Sequence, residues 1–317
     1  MLTFITRRIL LTIPVLFLIS VIVFSLLHLI PGDPARVILG QDATPAALQA
    51  LRVQLGLTRP LWLQYVLWIG GVFHGNLGNS LQTGLPVAML IGQALPVTVE
   101  LAIGTIIVSG LIAIPLGIYA AVHKGRMADL ITVFGASIGL SIPPFWLGIM
   151  LLLLFTVHFH LFPSSGYVPF FQNPIQNLQS MFLPVVATAV REAAVLLRMM
   201  RASLVEVLGA DFIRTARAKG ILWRVVVVRH AVRNALVPVL TQSGLQIAGL
   251  LGGLVITETI FSLPGFGSLL VNSIFSRDYT IIQGSALVAA LLVVGVNLVT
   301  DLCYGLIDPR IRMGKGA

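Results

Sequence analysis

The 317-residue sequence is 57% hydrophobic and only 10% charged, with a mean hydropathy of +0.99, whereas soluble domains are about a quarter charged. That balance excludes a water-soluble globular fold and makes lipid the solvent for most of the chain. The formal charge of +9 lies in short segments between apolar runs, the pattern of the positive-inside rule and not of a nucleic-acid surface.

In chain order, the first apolar run, Ile9 to Ile30, follows Arg7 and Arg8. It is longer than a signal-peptide core and leads into Pro31-Gly32-Asp33-Pro34, so it is expected to be a retained first helix. Residues 31–96 form a long segment containing an amphipathic stretch, Leu51 to Trp68, whose Trp62, Tyr65 and Trp68 suit a membrane interface. Further apolar runs cover about 97–122, 130–157, 181–200, 236–258 and 283–305, each long enough for one crossing. In lipid every backbone amide must be bonded within its own segment, so these runs are expected to be helices. The expectation is a single all-α integral membrane domain over residues 1–317, with six transmembrane helices.

Orientation follows from the basic residues. With both termini on one side, that side receives Arg7, Arg8, Lys124, Arg126, the basic residues from Arg198 to Arg233, and Arg310, Arg312 and Lys315. The other receives Arg36, Arg52, Arg59 and Arg277, with Arg191 inside a span. The richer side is expected to be the cytoplasm, which places segment 31–96 outside and loop 201–233 inside. Residues 159–180 are rich in Pro, Ser, Gly and Asn and are expected to be an irregular external connection.

Within the basic loop, Asp211 to Gly220 reads as a short helix stopped by Gly220, since glycine accepts a left-handed backbone. Ala216 and Gly220, four apart, share a face small enough for close approach by another protein. Arg214 and Arg217 share a different face, for pairing with acidic groups or for solvent.

Pro115, Pro143, Pro144, Pro184 and Pro238 fall inside the spans. Each removes a helical hydrogen bond, giving either fixed bends or hinges. Gly135 and Gly139, and Gly244, Gly249, Gly252 and Gly253, allow close helix packing within the chain or against a partner. Arg191 and Glu192 lie midway along the fourth span. Charge at that depth is costly, so the pair is read as lining a translocation path, with a structural ion pair or a misplaced span end as the alternatives. His158 and His160 supply at most half of a tetrahedral metal set and are read as interface histidines. Cys303, the single cysteine, permits no disulfide within the chain. The sequence carries no Gly-Lys-Ser or Gly-Lys-Thr phosphate loop and no hydrolase motif, so no catalytic residue, cofactor or metal site is assigned.

An ordered set of motifs spans nearly the whole chain. It comprises Pro31 to Pro34, Leu55 to Leu57 with Gln64 and Tyr65, Gly75 to Ser80, Ser141 to Phe145, and Asp211 to Gly220. It continues through Arg229 and His230, Arg233 to Leu236, Glu258 to Phe261 with Pro264 and Gly265, Arg277 to Tyr279, and Asp308 to Arg310. In this set the sequence resembles the inner-membrane permeases of ATP-binding-cassette importers, in the dipeptide, oligopeptide and nickel branch.

The resemblance implies a type I importer permease fold in a bacterial cytoplasmic membrane. It also implies a second homologous permease, an external solute-binding protein, and two ATPase subunits that hold the ATP and Mg. It implies that Asp211, Arg214, Thr215, Ala216, Arg217, Ala218, Lys219 and Gly220 form a coupling helix docking into an ATPase groove. The generic motif opens Glu-Ala-Ala where this chain has Arg214-Thr215-Ala216, so no contact of that glutamate carries over. A di- or oligopeptide is the expected cargo, with nickel, glutathione or opine-type chelates as alternatives. An ion-coupled secondary transporter is the competing class. Glu100, Glu258 and Asp301 lie near span ends, however, leaving only the neighbourhood of Arg191 and Glu192, and no internal repeat is evident.

Overall fold

The computed structural model describes residues 2–29, 34–39, 43–54 and 56–307. Ile30, Pro31 to Asp33, Leu55, Asp308 to Arg310, Arg312 and Lys315 lie outside the described residues. The helices are α1 (Leu2–Leu29), α2 (Pro34–Leu39), α3 (Pro45–Gln54), α4 (Leu61–Phe73), α5 (Val87–Val122), α6 (Met127–Ser141) and α7 (Pro144–Leu151). After α7 a π-helical turn runs Leu152–His158. There follow α8 (Pro174–Leu208), α9 (Asp211–Ala218) and α10 (Trp223–Val225), a second π turn (Val226–Val232), α11 (Arg233–Gly253), α12 (Val255–Ile260), α13 (Phe266–Phe275) and α14 (Tyr279–Ile307). Among the described residues there is no strand beyond an isolated bridge between Asn79 and Pro86. The protein is all-α.

Among these residues, Val87–Val122, Pro174–Leu208, Trp223–Gly252 and Tyr279–Thr300 are each long and apolar enough to cross a membrane, and Leu10–Ser25 is a shorter apolar stretch. The run expected at 130–157 is not one straight helix. It divides into Met127–Ser141 and Pro144–His158, bent by 92°. Pro143 and Pro144 have no N–H for the carbonyls of Gly139 and Leu140, and Pro143 holds an extended backbone at φ −63, ψ 132. Pro184 and Pro238, by contrast, lie inside continuous helices.

Three other expectations shift. The helix before Pro238 begins at Trp223 and runs through the π turn, so Arg224, Arg229 and Arg233 are helical and not in a loop. Likewise α8 begins at Pro174, inside the segment expected to be irregular. Asn173 caps it through Gln176 N to Oδ1 at 3.2 Å, with Pro174 supplying the preset φ of a first helical residue. The amphipathic stretch at 51–68 is also interrupted, by Gly56 at φ 71 and by Pro60 just before α4.

The chain divides into two compact units. The first comprises Val99–Leu263 and the described part of Gly295–Ala317. α8 runs through its core, where Ala193, Ala194, Leu197, Met200 and Leu204 meet Ala113, Ala136, Val226, Ala231 and Val239. Small residues set the spacing. A Cβ on Gly117 would lie 2.8 Å from Met200, and one on Gly139 3.4 Å from Val190, so neighbouring helices approach to backbone distance. The hydroxyls of Thr105 and Thr188 bond at 2.7 Å between α5 and α8. The loop before α8 is tied down as well. Tyr167 donates to Glu100 at 2.7 Å, and Asn177 Nδ2 donates to the Val168 carbonyl at 2.8 Å. Burial, and then the neighbouring Glu100 carboxylate, push the Tyr167 hydroxyl well above its ordinary pKa, so it remains a donor.

The second unit comprises Leu2–Thr98 and Pro264–Val294. Val87, Ile91, Ala94, Phe266 and Ile281 form its core. Here two motifs distant in sequence meet. Ser80 Oγ donates to Asp278 Oδ2 at 2.5 Å, and Gln82 Nε2 donates to the Ser276 carbonyl at 2.5 Å. Asp278 is 1% exposed and also accepts from Ile281 N at the start of α14, at 3.3 Å. Tyr65 packs on Phe24 and Trp68 and shares a 2.8 Å hydrogen bond with Ser20, whereas Trp62 remains exposed.

Candidate functional site

The helix α9 forms where the sequence places it. Asp211 opens it, an acidic residue at the positive end of the helix dipole. Thr215 Oγ1 donates to the Asp211 carbonyl at 3.0 Å. Lys219 follows as C-cap, and Gly220 takes φ +76, a left-handed conformation open to glycine at little cost. Arg217 stacks over Trp223 with its guanidinium carbon 4.8 Å from the ring centroid, joining the end of α9 to the start of α10. The Arg214 and Asp211 side chains approach to 3.5 Å, but both are solvated and contribute little.

The two faces of α9 differ from the expectation. Ile213 and Ala216, three apart, are 1% and 9% exposed and pack into the core with Val226 and Ala231. Ala216 is therefore an inward anchor and not part of a docking surface shared with Gly220. Its smallness serves this chain's own packing. The outward surface carries Asp211, Arg214, Thr215 and Ala218, flanked by Phe212, Arg217 and Lys219, all exposed. The small outward residues are Thr215 and Ala218. A Cβ added at Gly220 would meet nothing of this chain within 4 Å, so within the chain this glycine answers to backbone conformation.

The helix that leads into this segment, α8, carries a clamp that sequence reading missed. Arg201 forks onto Asp129, Nε to Oδ1 at 2.5 Å and Nη2 to Oδ2 at 2.7 Å. Gly125 N donates to Asp129 Oδ2 at 2.9 Å. Asp129 is 3% exposed, and its charge is met by a bidentate guanidinium and a backbone donor. The pair fixes the turn before α6 to α8 seven residues before α8 ends. The partners are 72 positions apart, so no local pattern signals them.

Arg191 and Glu192 stand at the middle of α8, and the structure separates their environments. Arg191 is exposed and Glu192 half-buried. Gln246 Nε2, on α11, donates to the Glu192 carbonyl at 3.2 Å, while its Oε1 is buried without a partner. Gln246 is a second residue that the sequence reading passed over, a polar side chain inside an apolar helix being its signal. The glycines also separate. Gly244 abuts Thr300 so closely that a Cβ would overlap it, whereas Gly249 and Gly252 face open space.

Residues 113–313 match the family model described as the binding-protein-dependent transport system inner membrane component, and residues 1–102 match the N-terminal model of the same class. The sequence is 40% identical over 339 aligned positions to the dipeptide transport system permease protein DppB of Escherichia coli (strain K12), covering 99% of this chain and all of that protein. It is 41% identical over 308 positions to a putative peptide transport system permease protein of Brucella abortus (strain 2308), covering 97% and 98% of the two chains. Identity to a DppB of Alkalihalophilus pseudofirmus is 40% over 332 positions, covering 98% of this chain and all of that one.

Proposed function

The chain belongs to the binding-protein-dependent transport system inner membrane component family, and on that premise we propose that it is one permease half of an ATP-driven importer of di- and oligopeptides. Its full-length likeness to dipeptide and peptide permeases supports the cargo. In this reading α1 and the four long apolar helices each cross the cytoplasmic membrane once, and the bent α6–α7 pair makes the remaining crossing. Both termini lie in the cytoplasm with the basic residues. A second permease completes the path, two ATPase subunits bind ATP and Mg, and a solute-binding protein delivers peptide from outside.

The observation that carries the mechanism is the two-sided α9. Ile213 and Ala216 fasten it to the α8 core, while Asp211, Arg214, Thr215 and Ala218 face outward. A helix so held transmits displacement as a rigid body. Motion of a docked ATPase then moves α8, and with it Arg191 and Glu192 at mid-span, which we assign to the path. Nucleotide shifts this equilibrium only in so far as it binds one conformation better than the other.

Reconstitution with its partner subunits in proteoliposomes tests the reading. Dialanine uptake is expected to require ATP hydrolysis and to survive an ionophore. Uptake that persists without hydrolysis and collapses with the ionophore would place the protein among secondary transporters.

A further inference from the structure

Along α8, residues 184, 187, 188, 191, 195, 198, 202 and 206 fall on one side of the helix, at three- and four-residue spacing. Pro184, Ala187 and Thr188 on this face are buried by the chain itself. From Arg191 onward it is uncovered: Arg191, Arg198, Ala202 and Glu206 are exposed, with only Val195 half-buried. The face thus opens at mid-span and stays open to the end of the helix. Neither Arg191 nor Arg198 has an ion-pair partner among the described residues, in contrast to Arg201, which is held by Asp129. A guanidinium at the depth of Arg191 faces protein or water and not lipid, and Arg198 continues the same face toward the C-terminal end of the helix, cytoplasmic in the proposed topology.

Resting on the peptide-importer reading above, we propose that Arg191 and Arg198 form a cationic track that reads the carboxylate of the transported peptide as it moves toward the cytoplasm. The two lie seven residues apart, ~10 Å along the helix, a spacing that lets a carboxylate leave one guanidinium as it nears the next. Planar guanidinium matches carboxylate bidentately. Glu192, the next residue, projects about 100° around the helix from Arg191. The path therefore presents a half-buried carboxylate beside the guanidinium without a close ion pair between them, and the Glu192 backbone is tied toward α11 by Gln246. Glu206, exposed at the far end, marks where the cationic stretch stops.

The test uses the assembled transporter in inside-out vesicles, with Cys303→Ser and Arg198→Cys. A sulfonate-bearing thiol reagent is expected to modify residue 198 about tenfold faster than a trimethylammonium one, and Arg191→Gln is expected to abolish the preference. In the Cys303→Ser background alone, Arg191→Gln or Arg198→Gln is expected to lower ATP-driven dialanine uptake about ten- to hundredfold, the size of a lost hydrogen bond to a charged group. Arg191→Lys, which keeps the charge but loses the bidentate fork, is expected to fall between the unaltered protein and Arg191→Gln. No modification at 198, equal rates for the two reagents, or equal loss with Gln and Lys would overturn the track, leaving a buried subunit contact. Anion preference at 198 together with no dialanine uptake by the unaltered protein would overturn the peptide reading, and the carboxylate assignment with it.

Discussion

The Asp129 and Arg201 pair combines a buried carboxylate with a guanidinium whose side chain is 27% exposed. Replacing one partner strands the other, whereas replacing both with apolar groups of similar size removes the burden. Asp129→Asn is expected to destabilise the protein by about 3 kcal/mol, seen as a lower thermal midpoint in detergent, and the double variant Asp129→Leu with Arg201→Met to recover most of it. Equal destabilisation by single and double variants would contradict a clamp. Ala216→Leu inserts three carbons into the packing around Ile213 and Val226 and is expected to cost about 1–3 kcal/mol, read by the same melt. An unchanged melt would mean that Ala216 faces outward after all.

Elements were legible where their signals were local. Asp211 and Gly220 mark both ends of α9 within ten residues, and the structure follows them. Which side of α9 faces inward was not legible, because it depends on Val226 and Ala231 arriving from the next helix. The extension of that helix back to Trp223 was hidden by Arg224, Arg229 and Arg233, whose charges resemble a loop although helix ends bear them readily. Pro143 and Pro144 announced a kink, but not a 92° elbow. The elbow also depends on packing, with Gly148 against Phe261 and Ala187 on one arm and Gly139 against Val190 on the other. Replacing both prolines with alanine restores donors to Gly139 and Leu140 and permits a continuous helix. Spin labels at positions 134 and 149 are then expected to separate toward ~22 Å, the rise of fifteen helical residues, from ~16 Å across the elbow, by double electron resonance. An unchanged distance would assign the bend to packing alone.

For the whole molecule, glycines that the sequence left ambiguous divide by partner. Gly244 is filled by Thr300 of the same chain, while Gly249 and Gly252 face open space that a second permease is expected to cover. Gly249→Leu is expected to leave this chain's own melt intact and to weaken its co-purification with the second permease severalfold, whereas Gly244→Leu lowers the melt itself. The reverse pattern would remove Gly249 from the interface. The central claim, that the outward face of α9 couples an ATPase to the path, is tested most directly by the ratio of dialanine imported to ATP hydrolysed in proteoliposomes carrying Ala218→Arg. Ala218 is exposed and outside the core, so the account predicts normal insertion and melting with a ratio reduced at least tenfold. A ratio equal to that of the unaltered transporter would contradict it.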